Sequence, residues 1–295
     1  MSAATEAVLP EVTVEIVASV AEHRVLSTPQ LHAIHFPASG VRWAQRVLLR
    51  LHRAGLLAKV RPQHAPRRLW FITEKGAQLA LEAGALSDPP KVFGPEAAIG
   101  QLQRHTLAVN DAAICFLAAG RERGDEFGPL SWRHEIAHPL GVGRHRRLLI
   151  PDAVLTYLRV GEGRLSIEQR FLELDRATLA VDRLAAKLGR YADLYRAQDK
   201  AHEPIWKARY PTFPPVLCVL AGASRSVLER RRATTIALLR SNPNLSRTPQ
   251  AEVFICLLED LQDRGPFAPI FLAPRDQSRP LEWCDRPGQA EKGKR

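Results

Sequence analysis

Cysteine is scarce and scattered in this 295-residue chain: Cys115, Cys218, Cys256 and Cys284 stand 103, 38 and 28 positions apart. No C-x-x-C pair exists, so neither a zinc site nor a disulfide framework is supported. A reducing cytoplasm with free, mostly buried thiols is the expected setting. No run approaches 18 consecutive apolar residues, so no membrane span is expected. Met1 to Glu6 lack the basic stretch and apolar core that mark export. The ten histidines include no His-x-His triplet, which argues against nicking through a histidine-held metal and a catalytic tyrosine. G-x-S-x-G, the dinucleotide fingerprint and H-E-x-x-H are also missing. Gly288 to Lys294 match the phosphate-loop spacing by letter, but Arg295 stands where Ser or Thr would bind Mg²⁺. No nucleotide cofactor is expected.

Acid is the other shortage. Against 31 Asp and Glu there are 42 Lys and Arg, 34 of them Arg, for a net charge of +11. Arginine forks suit phosphates and base edges better than lysine does. Nine of these bases (Arg42, Arg46, Arg50, Arg53, Lys59, Arg61, Arg67, Arg68 and Lys75) share one segment with a single acid, Glu74. That segment nets +8, the electrostatic footprint of a nucleic-acid-binding module.

Residues 1–86 read as three helices and a hairpin. An apolar stripe (Val12, Ile16, Val17, Val20) marks a first helix. Ser27 or Thr28 caps a second, with Pro29 in its first turn. A third runs from about Ser39 to Arg53 and stops at Gly55. Two β-like runs, Leu56–Arg61 and Arg67–Thr73, follow, then a helix from Glu74. This order predicts a winged helix-turn-helix. Arg42, Arg46, Arg50 and Arg53 line one face of the third helix. Trp43, Val47, Leu48 and Leu51 form the face expected to dock on the first two helices. That division suits a recognition helix in the major groove of duplex DNA, with Arg67 and Arg68 on the wing.

Residues 87–97, rich in Pro and Gly, read as a linker. Residues 98–276 then give the order αβββαβαβ, a second domain with a mixed sheet, and 277–295 a polar tail expected to be disordered. Two β runs here, 149–160 and 164–175, bracket Glu162-Gly163, a dipeptide suited to a two-residue turn. With that turn, paired residue numbers sum to 325, and Asp152 falls opposite Glu173. Val154, Leu158, Val160, Leu165, Ile167 and Phe171 share their face, while Arg164, Ser166, Glu168 and Arg170 face solvent. Asp175 lies two residues on. Converging carboxylates repel unless a cation neutralises them, and an all-oxygen set suits Mg²⁺ or Mn²⁺. Such a metal activates water for phosphodiester cleavage.

Asp152 and Glu173 on adjacent strands of this core resemble the PD-(D/E)XK nuclease superfamily, with its restriction-endonuclease-like fold. The superfamily's motif ends in a catalytic Lys; here Asp175 occupies that place. Lys187 on the next helix is the alternative, although it also reads as part of a basic surface stripe with Arg183 and Arg190. A second resemblance covers residues 20 to 220. Leu51-His-Arg-Ala-Gly-Leu56, Arg68-Leu-Trp-Phe-Ile-Thr-Glu-Lys-Gly76, His105-Thr-Leu-Ala-Val-Asn110, Glu173-Leu-Asp-Arg-Ala-Thr178 and Lys187-Leu-Gly-Arg-Tyr191 are similar to the plasmid replication-relaxation family. That resemblance implies a DNA-binding accessory protein of plasmid or mobile-element replication, relaxation or transfer, with duplex DNA and replication or relaxase proteins as partners. His105 matches its pattern and is a further candidate. A metal-dependent endonuclease is the alternative, and a transcriptional regulator with an inactive second domain a third. Whether the protein is a homodimer stays open.

Overall fold

A computed structural model describes residues 11–62, 67–94, 101–143, 146–161, 164–276 and 279–285. The turn expected at Glu162-Gly163, the loop at 63–66 and most of the expected tail lie outside them. The chain divides into two compact units, Met1–Asn110 and Asp111–Arg295.

In the first unit α1 (Glu11–Glu22) buries Ile16, Val17 and Val20. After it, β1 (Leu26–Ser27) leads into α2 (Thr28–His35), where the Ser27 side chain accepts from the Gln30 amide and Gln30 returns the bond. This reciprocal cap satisfies two amide groups that a helix start leaves unpaired. Next, α3 (Val41–Arg53) buries Ala44, Leu48 and Leu51. The chain then turns at Gly55, whose φ of 75° suits a residue without a side chain. Two strands, β2 (Leu57–Val60) and β3 (Leu69–Ile72), pair antiparallel, and β1 adds to the other edge of β3, giving the order β1-β3-β2. All of β3 is buried, which anchors the sheet under the helices. At α4 (Glu74–Glu82), Thr73 caps the first turn. A Cβ at Gly76 would stand 2.2 Å from the Leu56 carbonyl, so close helix–strand packing requires glycine there. Trp43 departs from the expectation that it docks inward. It is 42% exposed and meets the edge of Phe36 instead. The expected linker contains no helix or strand over residues 87–94 and lies inside this unit. Following it, α5 (Gln101–Arg123) contributes residues to both units, and Asn110 donates to the Val25 carbonyl within the first.

The second unit holds a mixed five-stranded sheet. Its strands are β4 (Trp132–His134), β7 (Ala153–Gly161), β8 (Arg164–Asp175), β9 (Val216–Leu220) and β10 (Val253–Leu257), with β5 (His138–Pro139) and β6 (Leu148–Leu149) paired apart from it. β4 and β8 flank β7 antiparallel, whereas β8, β9 and β10 run parallel. Parallel neighbours need crossovers. Here they are α6 (Val181–Arg196), followed by a 3-10 turn at Ile205–Ala208, and α7 (Arg225–Arg240), followed by α8 (Pro243–Ser246); α9 (Leu258–Arg264) comes after β10. One sheet face packs Val154, Phe171, Cys218 and Leu220 against Leu184, Leu188 and Tyr191 of α6 and Leu228 and Ile236 of α7.

The register of β7 and β8 runs from Ala153↔Leu172 to Gly161↔Arg164, so every pair sums to 325 as the alternation predicted. Two expectations about the faces fail. Arg170, expected in solvent, is 3% exposed, with its guanidinium 4.9 Å from the ring centroid of Trp283. The far end of the opposite face, expected in the core, is open: Val160, Leu165 and Ile167 are all exposed, because no helix extends over that end of the hairpin among the described residues. Part of the expected tail also belongs to the fold, since Leu281 bridges to Phe271 and Trp283 is fully buried against Phe116 and Tyr157.

Candidate functional site

Asp152 follows Pro151 and precedes the first residue of β7. Beyond the Ala153↔Leu172 pair the Leu174 amide has no β7 partner, and the Asp152 side chain takes its place, Oδ2 accepting from Leu174 N at 2.8 Å. The carboxylate is therefore held by the sheet itself. Glu173 stands in β8 opposite Cys218 of β9 and faces α6. Lys187 and Tyr191 lie one helical turn apart on α6, so both reach down to it. The Lys187 ammonium donates to Glu173 Oε2 and lies 3.5 Å from Asp152 Oδ1. The Tyr191 hydroxyl donates to Glu173 Oε1 at 2.6 Å.

The structure thus brings Asp152, Glu173 and Lys187 together. The cluster is graded in exposure: the Glu173 side chain is 2% exposed, that of Asp152 16% and that of Lys187 31%. Its open side is the lysine side, beside exposed Arg183 and half-buried Arg190. Burial, with the neighbouring charge of Asp152, pushes the Glu173 carboxyl up to about 8. Burial opposes the charge of Lys187, but Glu173 and Asp152 outweigh it and raise its pKa. The ammonium supplies the positive charge that adjacent carboxylates require.

Asp175 does not join them. Its carboxylate pairs with Arg231 Nε of α7, and Arg231 also donates to the Leu179 carbonyl at 2.7 Å. The expected three-carboxylate set is thus a pair, and among the described residues no group of three or more His, Cys, Asp or Glu is placed to hold a metal ion. Two carboxylates still suit Mg²⁺ or Mn²⁺, which keep several waters and take further oxygens from a substrate phosphate. A basic surface stripe describes Lys187 only in part, because the residue also borders the buried face of α6. Tyr191 has a role besides filling the core, and its spacing of four from Lys187 is the sequence signal for it.

The other candidates lie in the first unit. Arg42, Arg46, Arg50 and Arg53 are all exposed on one side of α3, opposite buried Ala44, Leu48 and Leu51. Arg67 is exposed just before β3, and half-buried Arg68 has its guanidinium 5.9 Å from the ring centroid of Trp70. His105 is half-buried on α5.

A family model described as replication-relaxation matches residues 17–205, nearly two thirds of the chain. No curated protein and no solved structure matches it.

Proposed function

The chain belongs to the replication-relaxation family, and from that premise we propose that it binds duplex DNA of a plasmid or mobile element and cuts one strand at Asp152, Glu173 and Lys187. The observation that carries the chemical part is Lys187 reaching both carboxylates from α6. In this reading the second unit has the nuclease-like core, with Lys187 in place of the lysine missing beside Glu173. The first unit is a winged helix that presents Arg42, Arg46, Arg50 and Arg53 to the groove and Arg67 and Arg68 to phosphates.

Asp152 and Glu173 would hold a Mg²⁺ or Mn²⁺ ion, which when bound supplies Lewis-acid polarisation and an activated water. The protein's own part is separate from that. The Asp152–Leu174 bond and the Tyr191 hydroxyl fix the two carboxylates. Lys187, at the open side, neutralises charge that grows on the phosphate oxygens as water adds to phosphorus and the bond to the leaving oxygen breaks. Arg183 and Arg190 favour an approaching phosphate.

The accessory, non-cleaving role is the second reading, favoured by one observation: Lys187 already offsets charge on both carboxylates without a metal ion. A supercoiled-plasmid nicking assay with Mg²⁺ or Mn²⁺ separates the two. Wild type is expected to convert plasmid to open circles, with Asp152→Ala, Glu173→Ala and Lys187→Ala each slower by at least about 100-fold. If wild type converts no plasmid, or all four proteins convert it equally, the cutting role is lost and the accessory one stands.

A further inference from the structure

Between Ile136 and Pro151 the sequence carries three arginines and no acid. The two ends of this stretch pair as β5 and β6, His138 with Leu149 and Pro139 with Leu148. A bond of 2.8 Å from Leu140 N to the Arg147 carbonyl extends the register by one pair. Opposed residues share a face, and every second pair points the same way. His138, Leu149, Leu140 and Arg147 therefore stand on one face of the hairpin. Three of them turn inward. Leu149 joins the core that Leu184 and Leu188 of α6 complete, Leu140 packs against that core, and His138 meets the edge of Phe171. Arg147 is the fourth, at the rim of that packing, and is exposed.

α6 is tied to the same rim. Arg190 Nη2 donates at 2.7 Å to the carbonyl of Leu148, the residue next to Arg147. Arg183, Lys187 and Arg190 recur at i, i+4 and i+7 and so form one stripe. The acid that follows on α6, Asp193, is taken by Arg196 at 2.8 Å. Among the described residues Arg147 and Arg183 have no ion-pair partner. Cations gathered in this way repel one another unless an anion joins them. Leu149 and Asp152 are three residues apart, so at most about 10 Å of chain separates the hairpin from the carboxylates. One DNA strand carries a phosphate about every 3.4 Å, so about three phosphates span that distance.

We propose that Arg147 and Arg190 grip the backbone of the strand to be cut, a few phosphates from the one at Lys187. The β5–β6 hairpin is then the second unit's own DNA contact. This rests on the cutting role of Asp152, Glu173 and Lys187, and it names the residues that place the strand there. Guanidinium forks match phosphate oxygens in pairs, and the bond of Arg190 to Leu148 fixes the direction of its remaining donors. Contacts to phosphate set position and carry no base preference. Arg147 is accordingly a positioning residue.

The full chain and a short duplex, mixed without metal, test the grip separately from cutting. Fluorescence anisotropy across a salt series should give Arg147→Ala a log–log slope flatter by about 0.9, and Arg147→Lys the wild-type slope. Arg147 is exposed, so circular dichroism and thermal melts of both variants should match wild type. A photo-crosslinking side chain installed at position 147 should capture the duplex, and excess unlabelled duplex should abolish the capture. With Mg²⁺ or Mn²⁺ and little plasmid, Arg147→Ala should nick about 10-fold more slowly, the loss of one charge-assisted bond, and Arg147→Lys should restore the rate. An unchanged salt slope, or no capture at 147, overturns the grip even where wild type nicks plasmid. A flattened slope with capture, in a protein that nicks nothing, upholds the DNA contact and removes only the cutting role.

Discussion

Removing the Asp175 carboxylate would leave the Arg231 guanidinium, whose side chain is 8% exposed, without the charge it is buried against. Breaking a buried pair in this way costs about 3–5 kcal/mol. Asp175→Ala is therefore expected to lower the urea midpoint sharply, whereas Asp175→Leu with Arg231→Met should recover most of the loss. His138 makes a pH prediction. Burial, with the charge of Arg209 beside it, brings its pKa down from 6.5 to about 4. The unfolded chain then binds a proton that the folded chain refuses, so stability is full above about pH 6.5 and falls as pH drops toward 4. Urea midpoints at pH 7 and pH 4.5 should show that fall, and His138→Phe should reduce it. At this scale the opposition of Asp152 and Glu173 was legible, because strand alternation needs only counting. The Asp175–Arg231 pair was not, since its residues are 56 positions apart and only the packing of α7 joins them.

Elements were legible where a local signal ended them. Gly55 stopped α3, Ser27 started α2, and the Glu162-Gly163 dipeptide led to the correct register although the turn itself lies outside the described residues. What alternation cannot tell is how far a neighbour covers a face: Val154 and Phe171 are buried and Leu165 and Ile167 are bare on the same strands. The two-residue β1 and the β5–β6 pair were too short for any periodicity to show. The basic face of α3 makes the prediction proper to an element. Arg46→Ala with Arg50→Ala should weaken duplex binding and flatten its log–log salt dependence by about 1.8, or 0.9 for each phosphate that an arginine no longer neutralises. Fluorescence anisotropy across a salt series reads both, and an unchanged slope would place the DNA surface elsewhere.

Taken whole, the molecule separates its basic charge from its carboxylate–lysine cluster along the chain. The segment from Arg42 to Lys75 carries +8 of the net +11, all of it in the first unit, while the carboxylate–lysine cluster belongs to the second. The family match ends at residue 205, yet the sheet of the second unit is completed by β9 and β10 beyond it. Division into a basic part and an α/β part was readable from charge and element order. The contribution of residues 279–285 was not, because that stretch has no helical or strand pattern. Trp283 nevertheless fills the space between Phe116, Tyr157 and Phe267, beneath the guanidinium of Arg170. During synthesis the second unit therefore cannot close its core until Trp283 has left the ribosome. A nonsense mutation or proteolytic clip anywhere before that residue should yield an unstable product rather than a shortened working one.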